Sequence, residues 1–463
     1  MKKNVRKLNK ALKGEITIPS DKSISHRAVI FSSLAKGKSI IKNFSKGQDP
    51  LSSLEICKML GVNYEFKNDN LIINSSGKPK APSNDLDCGN SGTTMRFMCG
   101  LLAGQNFDSI LIGDESLSKR PMKRVIEPLT LMGAKIESND FKSPLKIFGQ
   151  NLHAIDYTSK LASAQVKSCI LLAGMNCEDQ TTFTEPYLSR NHTELMLKYM
   201  GAEIEAAKQL SSHAAKGSGK WKMESEKSDN FQFSTFNFQP AKGLSFQFTT
   251  KISKSTLHPK TIKIPGDISS AALFIVAGLI VPNSEIILKN VGLNPTRTGI
   301  LDVVQKMGGN IEILDKRNIS GEDVGDIRVS YSELKSCTVE GEIIPRLIDE
   351  LPVIAVLATQ ANGTTIIKDA QDLRNKETDR INAIVTELKK LGADIEETPD
   401  GFIINGKTNL TGGCEVETYH DHRLAMSLYV AGLICKNSIQ INGFEWVNIS
   451  FPEFEDLFEL CKD

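Results

Sequence analysis

One local pattern recurs along this chain of 463 residues and limits the folds that it can adopt. In each copy, a helix-like apolar segment ends in a glycine and is followed at once by a short strand-like segment. The glycines stand at Gly61, Gly133, Gly201, Gly308 and Gly392. A helix often ends on a residue in the left-handed conformation, which glycine tolerates best. The recurrence therefore predicts a mixed α/β fold built from repeats.

A second shared element lies upstream of each glycine. It is a polar turn that opens a helix rich in small and apolar residues, and it occurs once more near the end of the chain. The six turns lie at Lys22–Arg27, Asn90–Arg96, Ser163–Gln165, Gly266–Ser270, Ile348–Glu350 and Asp421–Arg423. Each unit is predicted to read helix, strand, helix, strand, strand. The sixth unit has no glycine step and is expected to end on a helix from Glu453 to Cys461.

The spacing of the glycines predicts how the repeats are divided. The interval from Gly201 to Gly308 is the longest, which indicates an insertion between about residues 206 and 260. This segment is rich in serine and lysine and loses the repeat pattern, as in Ser211–Lys220, so we expect a surface excursion or partial disorder. Because the insertion falls in the middle of the six repeats, two domains of three repeats each are the simplest partition.

Composition excludes several classes of protein. The 56 basic and 55 acidic residues give a net charge of +1, so a basic field for nucleic acid is absent. The nine cysteines are scattered without a C-x-x-C pair, which argues against a disulfide framework and a zinc ribbon. The basic first ten residues lack a following apolar region, and the longest apolar run, Ala271–Val281, is too short to span a bilayer. These features predict a cytoplasmic protein without nucleic-acid or membrane partners.

The polar turns suggest an anion site. If the six helix N-termini face one cleft between the domains, their dipoles sum to a positive field. The cationic side chains in or near the turns fit this picture, and they are Lys22, Arg27, Arg96, Arg120, Arg190, Lys376, Arg380 and Arg423. The turn at Lys22–Arg27 by itself fits an ordinary capped helix as well as an anion site. The coincidence of all six turns predicts a small, strongly anionic ligand.

Other short motifs carry less weight. Asn90–Thr94 has the glycine and hydroxyls of a phosphate-binding loop, but the motif is weak alone. Lys36–Ser39 resembles the end of a P-loop, yet Ser32 stands where that motif requires a glycine. His420 and His422 lack a third neighbouring ligand, so we expect no metal site.

The segment Leu373–Arg380 is dense in charge. Lys376 and Arg380 fall on one helical face, with Glu377 and Asp379 beside them. A solvated helix start with internal ion pairs is one reading. The other is a general acid or base carboxylate held among substrate-binding cations.

Taken together, nine ordered motifs resemble the 5-enolpyruvylshikimate-3-phosphate synthase family. They read S-D-K-S-x-S-H-R, G-N-S-G-T-T-x-R, S-x-x-K-R-P-M, S-A-Q-V-K-S, S-R-x-H-T-E, P-G-D-I-S-S-A-A, K-E-T-D-R, D-H-R-x-A-M and S-F-P-E-F, and they span about Leu12 to Phe454. The chain is most similar to the bacterial subgroup with S-A-Q. The resemblance implies transfer of the enolpyruvyl group of phosphoenolpyruvate to the 5-hydroxyl of shikimate 3-phosphate, in aromatic amino acid biosynthesis.

The resemblance also implies an architecture. It is an inside-out, barrel-like enolpyruvyl transferase fold of two domains that close on the substrates, each with three βαβαββ-type units. Residues 1–19 would join 263–463 in the C-terminal domain, and 20–262 would form the N-terminal domain with the insertion. The resemblance favours a monomer. It also implies that no metal or other cofactor is needed, because fixed cations stabilise the developing charge.

Site residues follow from the same resemblance, position by position. The shikimate 3-phosphate contacts would be Lys22, Ser23, Arg27, Ser163, Ala164, Gln165, Arg190, Asp349 and Lys376. The phosphoenolpyruvate contacts would be Lys22, Gly92, Arg120, Gln165, Arg380 and Arg423. Asp349 would take the 5-hydroxyl proton, Glu377 would handle the methylene proton, and Lys22 would reach both substrates. Gly92 would leave room for the inhibitor glyphosate beside the phosphoenolpyruvate site.

Two residues depart from the family pattern, and two alternative functions remain open. Ile449 stands where some members carry a lysine, and Asp372 where some carry an asparagine. A UDP-N-acetylglucosamine enolpyruvyl transferase would share the six-unit architecture, but its reactive cysteine has no counterpart between Gly113 and Arg124. A non-catalytic anion-binding repeat protein would not need Asp349 or Glu377.

Overall fold

The five glycine steps end helices in the computed structural model, which describes residues 1–210 and 246–461. Each helix stops two residues before its glycine, and the five glycines have φ angles between 77° and 98°. The residue after each glycine donates its backbone N–H to the carbonyl five positions earlier, as from Ala134 to Leu129 at 2.9 Å and from Ala393 to Leu388 at 3.0 Å. This bond defines the Schellman motif. The predicted helix-glycine-strand repeat is therefore confirmed.

The elements before the insertion follow in chain order. They are β1 (Lys2–Val5), β2 (Lys13–Thr17), α1 (Lys22–Leu34), β3 (Gly37–Lys42), α2 (Gln48–Met59), β4 (Asn63–Lys67), β5 (Asn70–Ser75), β6 (Leu86–Asp87), α3 (Gly92–Ala103), β7 (Ser109–Ile112), α4 (Glu115–Ser118), α5 (Lys123–Leu131), β8 (Lys135–Asn139), β9 (Lys142–Phe148), β10 (Asp156–Thr158), α6 (Ala164–Gly174), β11 (Thr181–Glu185), α7 (His192–Tyr199) and β12 (Ile204–Leu210).

The elements after the insertion continue the pattern. They are β13 (Phe246–Ile252), β14 (Thr261–Lys263), α8 (Ile268–Ile280), β15 (Glu285–Gly292), α9 (Gly299–Lys306), β16 (Asn310–Ile319), β17 (Glu322–Ser330), β18 (Leu334–Lys335), β19 (Thr338–Val339), α10 (Leu351–Thr359), β20 (Ala361–Ile367), α11 (Arg380–Lys390), β21 (Asp394–Thr398), β22 (Gly401–Gly406), β23 (Glu415–Glu417), α12 (His422–Gly432), β24 (Ile439–Asn442) and α13 (Phe454–Leu460). Three 3₁₀ helices cover Gly341–Arg346, Gln371–Asn375 and Phe444–Ile449.

Each repeat contributes one sheet. The strand orders are β14-β3-β5-β4, β6-β7-β9-β8, β10-β11-β13-β12, β2-β15-β17-β16 and β18-β20-β22-β21, where β19 also pairs with β20. A strand, a helix and a parallel strand are followed by a second helix and an antiparallel hairpin, as in β6, α3, β7, α5, β8 and β9. This is the predicted βαβαββ-type unit. In the sixth repeat β23 and β24 are parallel, and β1 takes the antiparallel place of the missing hairpin.

Two sheets take their first strand from a distant part of the sequence. The first repeat uses β14, which follows the third repeat in the chain. The fourth repeat uses β2, which lies near the N-terminus and pairs in parallel with β15 from Lys13 with Glu285 to Thr17 with Lys289. Neither sheet is complete until these remote segments have joined it.

The chain divides into two compact units. The C-terminal unit consists of Met1–Ser25, Lys42–Leu51 and the residues from Lys263 onward, and the N-terminal unit consists of His26–Ile41 and the described part of Ser52–Ile262. Residues 20–25 and 42–51 thus lie with the C-terminal residues, whereas the sequence placed them in the domain 20–262. The sequence-based boundaries themselves remain a proposal.

The predicted insertion falls inside a hairpin. β12 and β13 pair in antiparallel register from Ile204 with Ile252 to Leu210 with Phe246. β13 and the part of β12 from residue 206 onward lie within the range 206–260 that the sequence assigned to the insertion. Residues 211–245, on which the expectation of a surface excursion rested, lie outside the described residues.

The helices that open at the polar turns form the cores of the units. Every residue of α8 and of α10 is buried, and these helices pack with α12 in the C-terminal unit. In the N-terminal unit α3 packs against α6. A helix that is apolar on all sides belongs in a protein interior, since no face of it suits water. In α3 and α8 the polar side chains lie near the helix start, and the candidate site residue Gly92 begins α3.

An aromatic cluster anchors the last helix. Phe458 in α13 stacks on Phe274 in α8, with ring centroids 4.2 Å apart and planes 21° apart. Phe454 packs edge-on against Phe458 at 5.0 Å. Both phenylalanines of α13 are completely buried, whereas Leu460 on the same helix is 72% exposed.

We expect Phe458→Ala to lower the free energy of unfolding by about 3–5 kcal/mol, because it removes a stacked ring and leaves a cavity. Urea denaturation followed by circular dichroism measures the change. Leu460→Ala is the matched control and should change stability by less than about 0.5 kcal/mol. Equal effects of the two substitutions would show that α13 does not contribute to the core as described.

Candidate anion and proton-transfer site

Arg380 is the centre of a carboxylate cluster in the C-terminal unit. Its side chain is 2% exposed at the first position of α11. Arg380 donates from Nε to Asp421 Oδ2 at 2.7 Å, from Nη2 to Glu377 Oε2 at 2.6 Å and from Nη1 to Asp349 Oδ1 at 3.2 Å. One guanidinium thus holds three carboxylates, which its planar fork of five N–H donors allows.

The electrostatics of this cluster keep the guanidinium charged. Burial lowers the pKa of Arg380, but the negative charges of Asp421, Glu377 and Asp349 outweigh it and raise the pKa above its usual value. Asp421 is completely buried, whereas Asp349 and Glu377 are 19% and 21% exposed. One side of the cluster is therefore fixed in the interior, and the other side presents two carboxylates to solvent and ligands.

Lys376 lies beside the exposed side of the cluster. Its ammonium nitrogen is 3.4 Å from Asp349 Oδ1 and 3.6 Å from Asp372 Oδ2. A cation within about 4 Å of a carboxylate favours the ionised form of that carboxylate. Asp372, the departure noted in the sequence, thus forms an ion pair with a candidate site lysine. Ile449, the other departure, has a buried side chain at the end of a 3₁₀ helix.

Asp421 also organises the start of α12. Its Oδ1 accepts the backbone N–H of Arg423 at 2.7 Å, as the N-cap residue of a helix does. The Arg423 guanidinium donates from Nη1 to the backbone carbonyl of Ser269 at 3.1 Å. Asp421 therefore contacts Arg380 through its side chain and fixes the backbone of Arg423. Burial lowers the pKa of His422 well below its usual value, and the charges of Lys22 and Arg423 add to the effect, so this imidazole is neutral.

Lys22 begins α1 and belongs to the same unit. Its ammonium nitrogen is 3.1 Å from Asp49 Oδ2, and its backbone N–H donates to Asp267 Oδ2 at 3.4 Å. Asp49 is 12% exposed and Lys22 is 21% exposed. Ser23, the next predicted site residue, is half-buried in the first turn of α1.

A second buried arginine contacts the polar turn Gly266–Ser270 of the same unit. Arg297 is 3% exposed and contacts Asp267 Oδ1 at 3.3 Å and the hydroxyl of Ser269. Burial lowers the pKa of Arg297, but the charges of Asp267 and Asp21 outweigh it and raise the pKa. Burial raises the pKa of Asp267, while Arg297 and Arg423 lower it more, so this carboxylate stays ionised.

Arg27 is a buried cation of the N-terminal unit. It donates from Nε to Thr193 Oγ1 at 2.7 Å and from Nη2 to Ser168 Oγ at 3.1 Å. Its guanidinium carbon lies 4.8 Å from the ring centroid of Phe97, a cation–π contact. The hydroxyls of Thr193 and Ser168 and the ring of Phe97 therefore fix the position of this guanidinium.

Gly92, Gln165 and Arg120 form a second group in the same unit. Gln165 joins α6 to α3: its Oε1 accepts from Arg96 Nη1 at 2.8 Å, and its Nε2 donates to Thr93 Oγ1 at 3.0 Å. A Cβ added at Gly92 would lie 2.7 Å from Arg96 Nη1 and 3.6 Å from Arg120 Nη1. Glycine at this position therefore lets two guanidinium groups approach the start of α3.

The remaining predicted residues lie at neighbouring helix starts. Ser163 is the N-cap residue of α6, and its side chain makes no capping hydrogen bond. Ala164 is the first residue of that helix. Arg190 is half-buried in the loop between β11 and α7. The predicted residues thus form two sets, one in each unit, and within each set the structure connects Asp349, Lys376, Glu377 and Arg380 and, separately, Gly92, Arg120 and Gln165.

The sequence did not assign roles to several residues of these networks. Asp421 and Asp49 each pair with a predicted site cation, and Arg96 bonds to Gln165. Asp421 could have been recognised as a cap, because an aspartate directly precedes a small-residue helix. Nothing in the sequence relates Asp49 to Lys22 or Arg96 to Gln165, since these pairs depend on packing between helices.

Residues 1–210 and 246–461 contain neither a cluster of metal ligands nor a helix suited to crossing a membrane. No group of three or more His, Cys, Asp or Glu side chains in these ranges is placed to hold a metal ion. His420 stacks on Trp446 with ring centroids 4.8 Å apart. None of the helices in these ranges has the length and hydropathy that a bilayer-spanning segment needs.

Comparisons with known proteins place the chain among enolpyruvyl transferases. A family model described as EPSP synthase (3-phosphoshikimate 1-carboxyvinyltransferase) matches residues 7–231 and 242–458. A 3-phosphoshikimate 1-carboxyvinyltransferase of Bacillus pumilus is 48% identical over 452 residues, covering 97% of each chain. The enzyme of the same name from Bacillus subtilis is 46% identical over 457 residues, covering 97% of this chain and 98% of that one.

Solved structures agree with these relatives. EPSP synthase from Acinetobacter baumannii superposes with a TM-score of 0.82 at 37% identity, covering 100% of this chain and 98% of that one. The enolpyruvyl transferase NikO from Streptomyces tendae has a TM-score of 0.73 at 15% identity, with coverage of 99% and 96%, and supports the fold alone. The predicted enolpyruvyl transferase fold is confirmed, and neither alternative function is favoured.

We expect Asp421→Asn to lower the free energy of unfolding by about 3 kcal/mol, because it leaves the buried Arg380 guanidinium without its interior counter-charge. Urea denaturation measures this change. Asp315→Asn is the control, since Asp315 pairs with Arg317 at 2.7 Å but is 71% exposed. That exposed pair should contribute less than about 1 kcal/mol. A loss at Asp421 as small as at Asp315 would contradict the interior role of the carboxylate.

Proposed function

This chain belongs to the EPSP synthase family, and we propose that it transfers the enolpyruvyl group of phosphoenolpyruvate to the 5-hydroxyl of shikimate 3-phosphate and releases phosphate. The relatives that carry this name cover 97% of the chain. The observation that carries the proposal is the contact of the buried Arg380 with Asp349 and Glu377. This arrangement unites an anion-binding cation with two exposed proton acceptors, as the reaction requires.

Phosphoenolpyruvate carries a carboxylate and a phosphate, so its site needs several cations. We assign Arg380, Arg423 and Arg120 to these groups, with Lys22 as a further contact. Guanidinium groups suit both anions because they bind two oxygens at once. Gly92 and Gln165 complete this set, Gly92 by permitting close approach and Gln165 by its amide. Ile449 supplies no cation, so the positive charge comes from the arginines and Lys22.

The chemical steps are addition and elimination. In the addition, Asp349 accepts the proton of the 5-hydroxyl as that oxygen attacks C2 of phosphoenolpyruvate. Glu377, in its protonated form, donates a proton to the methylene carbon, which becomes a methyl group. In the elimination, Glu377 takes one methyl proton back while the C–O bond to phosphate breaks, and the departing phosphate takes up the proton that Asp349 had accepted. The cations around these carboxylates stabilise the negative charge that develops on the phosphate oxygens.

The remaining predicted residues are assigned to the binding of shikimate 3-phosphate. We propose that Ser23, Arg27, Ser163, Ala164, Gln165 and Arg190 bind its phosphate and ring, together with Lys22. Asp349 and Lys376 would contact its hydroxyls. The hydrogen bonds of Arg27 to the hydroxyls of Thr193 and Ser168 support this role, because they position the guanidinium. Ala164 is the first residue of α6, and its methyl side chain adds little bulk beside the backbone N–H groups of the helix start.

Three finer features belong to the proposal. The substrates are small anions, the enzyme acts as a monomer, and the reaction takes place in the cytoplasm without a nucleic-acid partner. The family resemblance and the near-neutral net charge of +1 support them.

A phosphate-release assay tests the function. The protein is mixed with phosphoenolpyruvate and either shikimate 3-phosphate or UDP-N-acetylglucosamine. We expect release only with shikimate 3-phosphate. Absence of release with that acceptor would overturn the proposal, and release with UDP-N-acetylglucosamine would assign the chain to the alternative.

Glu377→Gln should lower kcat by about 10²-fold or more, because the amide cannot carry the methylene proton. The KM values should change by less than about fivefold, since the amide still bonds to Arg380. Steady-state kinetics measure both quantities. Glu397→Gln removes a carboxylate 2.8 Å from Arg374 near the same helix and should leave kcat unchanged. A raised KM with normal kcat in Glu377→Gln would contradict its role.

We expect the wild-type enzyme to be inhibited by glyphosate and Gly92→Ala to reduce this inhibition by about tenfold or more. The added methyl group would displace Arg96 and alter its bond to Gln165. The KM for phosphoenolpyruvate should rise in parallel. Gly104→Ala at the other end of α3 is the control, because its Cβ would meet atoms only at 3.5 Å or beyond. Unchanged inhibition in Gly92→Ala would count against this placement of phosphoenolpyruvate.

A further inference from the structure

Three charged side chains that the proposed reaction does not use are buried in the N-terminal unit. Lys167, Glu185 and Glu194 have side-chain exposures of 0%, 1% and 0%. Lys167 Nζ lies 2.8 Å from Glu185 Oε1 and 2.8 Å from Glu194 Oε1. We call these three residues the buried triad. Burial lowers the pKa of Lys167, but the two carboxylates outweigh it and raise the pKa, so the lysine stays charged.

The buried triad holds both backbone polar groups of Ser189. Lys167 Nζ donates to the Ser189 carbonyl at 3.3 Å, and the Ser189 N–H donates to Glu185 Oε1 at 3.0 Å. Ser189 directly precedes Arg190, to which we assign a contact with shikimate 3-phosphate. The triad therefore fixes the backbone from which the Arg190 side chain extends.

The helices that carry the triad also carry other site residues. Lys167 lies in α6 two residues after Gln165, and Glu194 lies in the first turn of α7. The neighbouring residues Ser168 and Thr193 bond to each other at 2.6 Å, and Thr193 accepts from Arg27 Nε at 2.7 Å. Two adjacent contacts, Lys167 with Glu194 and Ser168 with Thr193, thus join α6 to α7, and the second of them also bonds to Arg27.

Stability alone is a poor explanation for such a triad. Replacing a buried ion cluster by well-packed apolar residues is often neutral or stabilising, because the charges lose their hydration. Charged hydrogen bonds have a strict geometry, however, and they are stronger than neutral ones. Because the buried triad bonds to both the N–H and the carbonyl of Ser189, it is suited to fixing the position of the loop that carries Arg190.

On this basis, and resting on the proposed function, we infer that Lys167, Glu185 and Glu194 are positioning residues for shikimate 3-phosphate. They act through Ser189 on Arg190, and they do not touch the substrate. The substitution that removes the hydrogen bond to Ser189 should weaken shikimate 3-phosphate binding specifically. Phosphoenolpyruvate binding and the chemical steps should be affected little.

The first test compares Glu185→Leu with Glu185→Gln. The leucine removes the acceptor of the Ser189 N–H, so the KM for shikimate 3-phosphate should rise about tenfold or more. The glutamine keeps an oxygen acceptor and should stay within about threefold of the wild type, as should kcat and the KM for phosphoenolpyruvate in both variants. A parallel loss in all three constants would indicate a general structural defect and overturn the inference.

Asp326→Leu is the matched control in the C-terminal unit. Asp326 also joins a lysine and a backbone N–H: Lys289 Nζ is 2.5 Å from Oδ2, and Asn290 N donates to Oδ1 at 2.8 Å. Its loss should lower the melting temperature without raising the KM for shikimate 3-phosphate. An equal rise of that KM in the control would show that the effect is not specific to the buried triad.

A double-mutant cycle with Arg190→Ala decides whether the triad acts through Arg190. If it does, Glu185→Leu should raise the KM for shikimate 3-phosphate by less than about twofold in the Arg190→Ala background. Additive effects would overturn the inference. If Glu185→Leu does not fold, the same double-mutant cycle is measured with Lys167→Met in place of Glu185→Leu. An inactive, folded wild type would instead refute the proposed function, so the two failures are distinguishable.

Discussion

The ion cluster around Arg380 is the interaction on which the candidate site depends. A guanidinium that is 2% exposed must be compensated, because an unpaired buried charge costs far more than a protein can tolerate. Asp421 supplies that compensation from the interior. The more exposed Asp349 and Glu377 share the same guanidinium from the other side. The cation that Asp421 neutralises in the interior is thus also the cation that orients the two proposed proton carriers.

The repeated helix starts explain why such a cluster can form. Asp421 is a helix cap and Arg380 is the first residue of another helix, so both lie where backbone N–H groups are unsatisfied. The same geometry recurs at Ser91, whose side chain accepts from Thr94 N. Charged and polar side chains collect at these turns, whereas α8 and α10 are buried along their whole length. The fold therefore concentrates its chemistry at the turns without a dedicated catalytic segment.

Much of the fold could be predicted from the sequence because its signals are local. A glycine at a helix end and a cap residue at a helix start act within a few residues, and both recur in nearly every repeat. Long-range pairs carry no such signal. Arg380 meets Asp421 across 41 residues, and Gln165 meets Arg96 across 69. The pairing of β2 with β15 and of β14 with β3 likewise carries no local signal, because it forms only when the whole sheet assembles. The motif resemblance supplied the site residues, whereas their bonding partners came only from the packed structure.

Proton transfer between Glu377 and the methylene carbon of phosphoenolpyruvate is the central step of the proposed reaction. The most direct measurement is deuterium incorporation when the reaction runs in D₂O, with mass spectrometry of the enolpyruvyl product and of unreacted phosphoenolpyruvate. Because addition makes a methyl group that loses one of its three hydrogens, we predict deuterium in the methylene group of both compounds. A product formed in D₂O with no deuterium at that carbon would contradict the addition–elimination account and the role of Glu377.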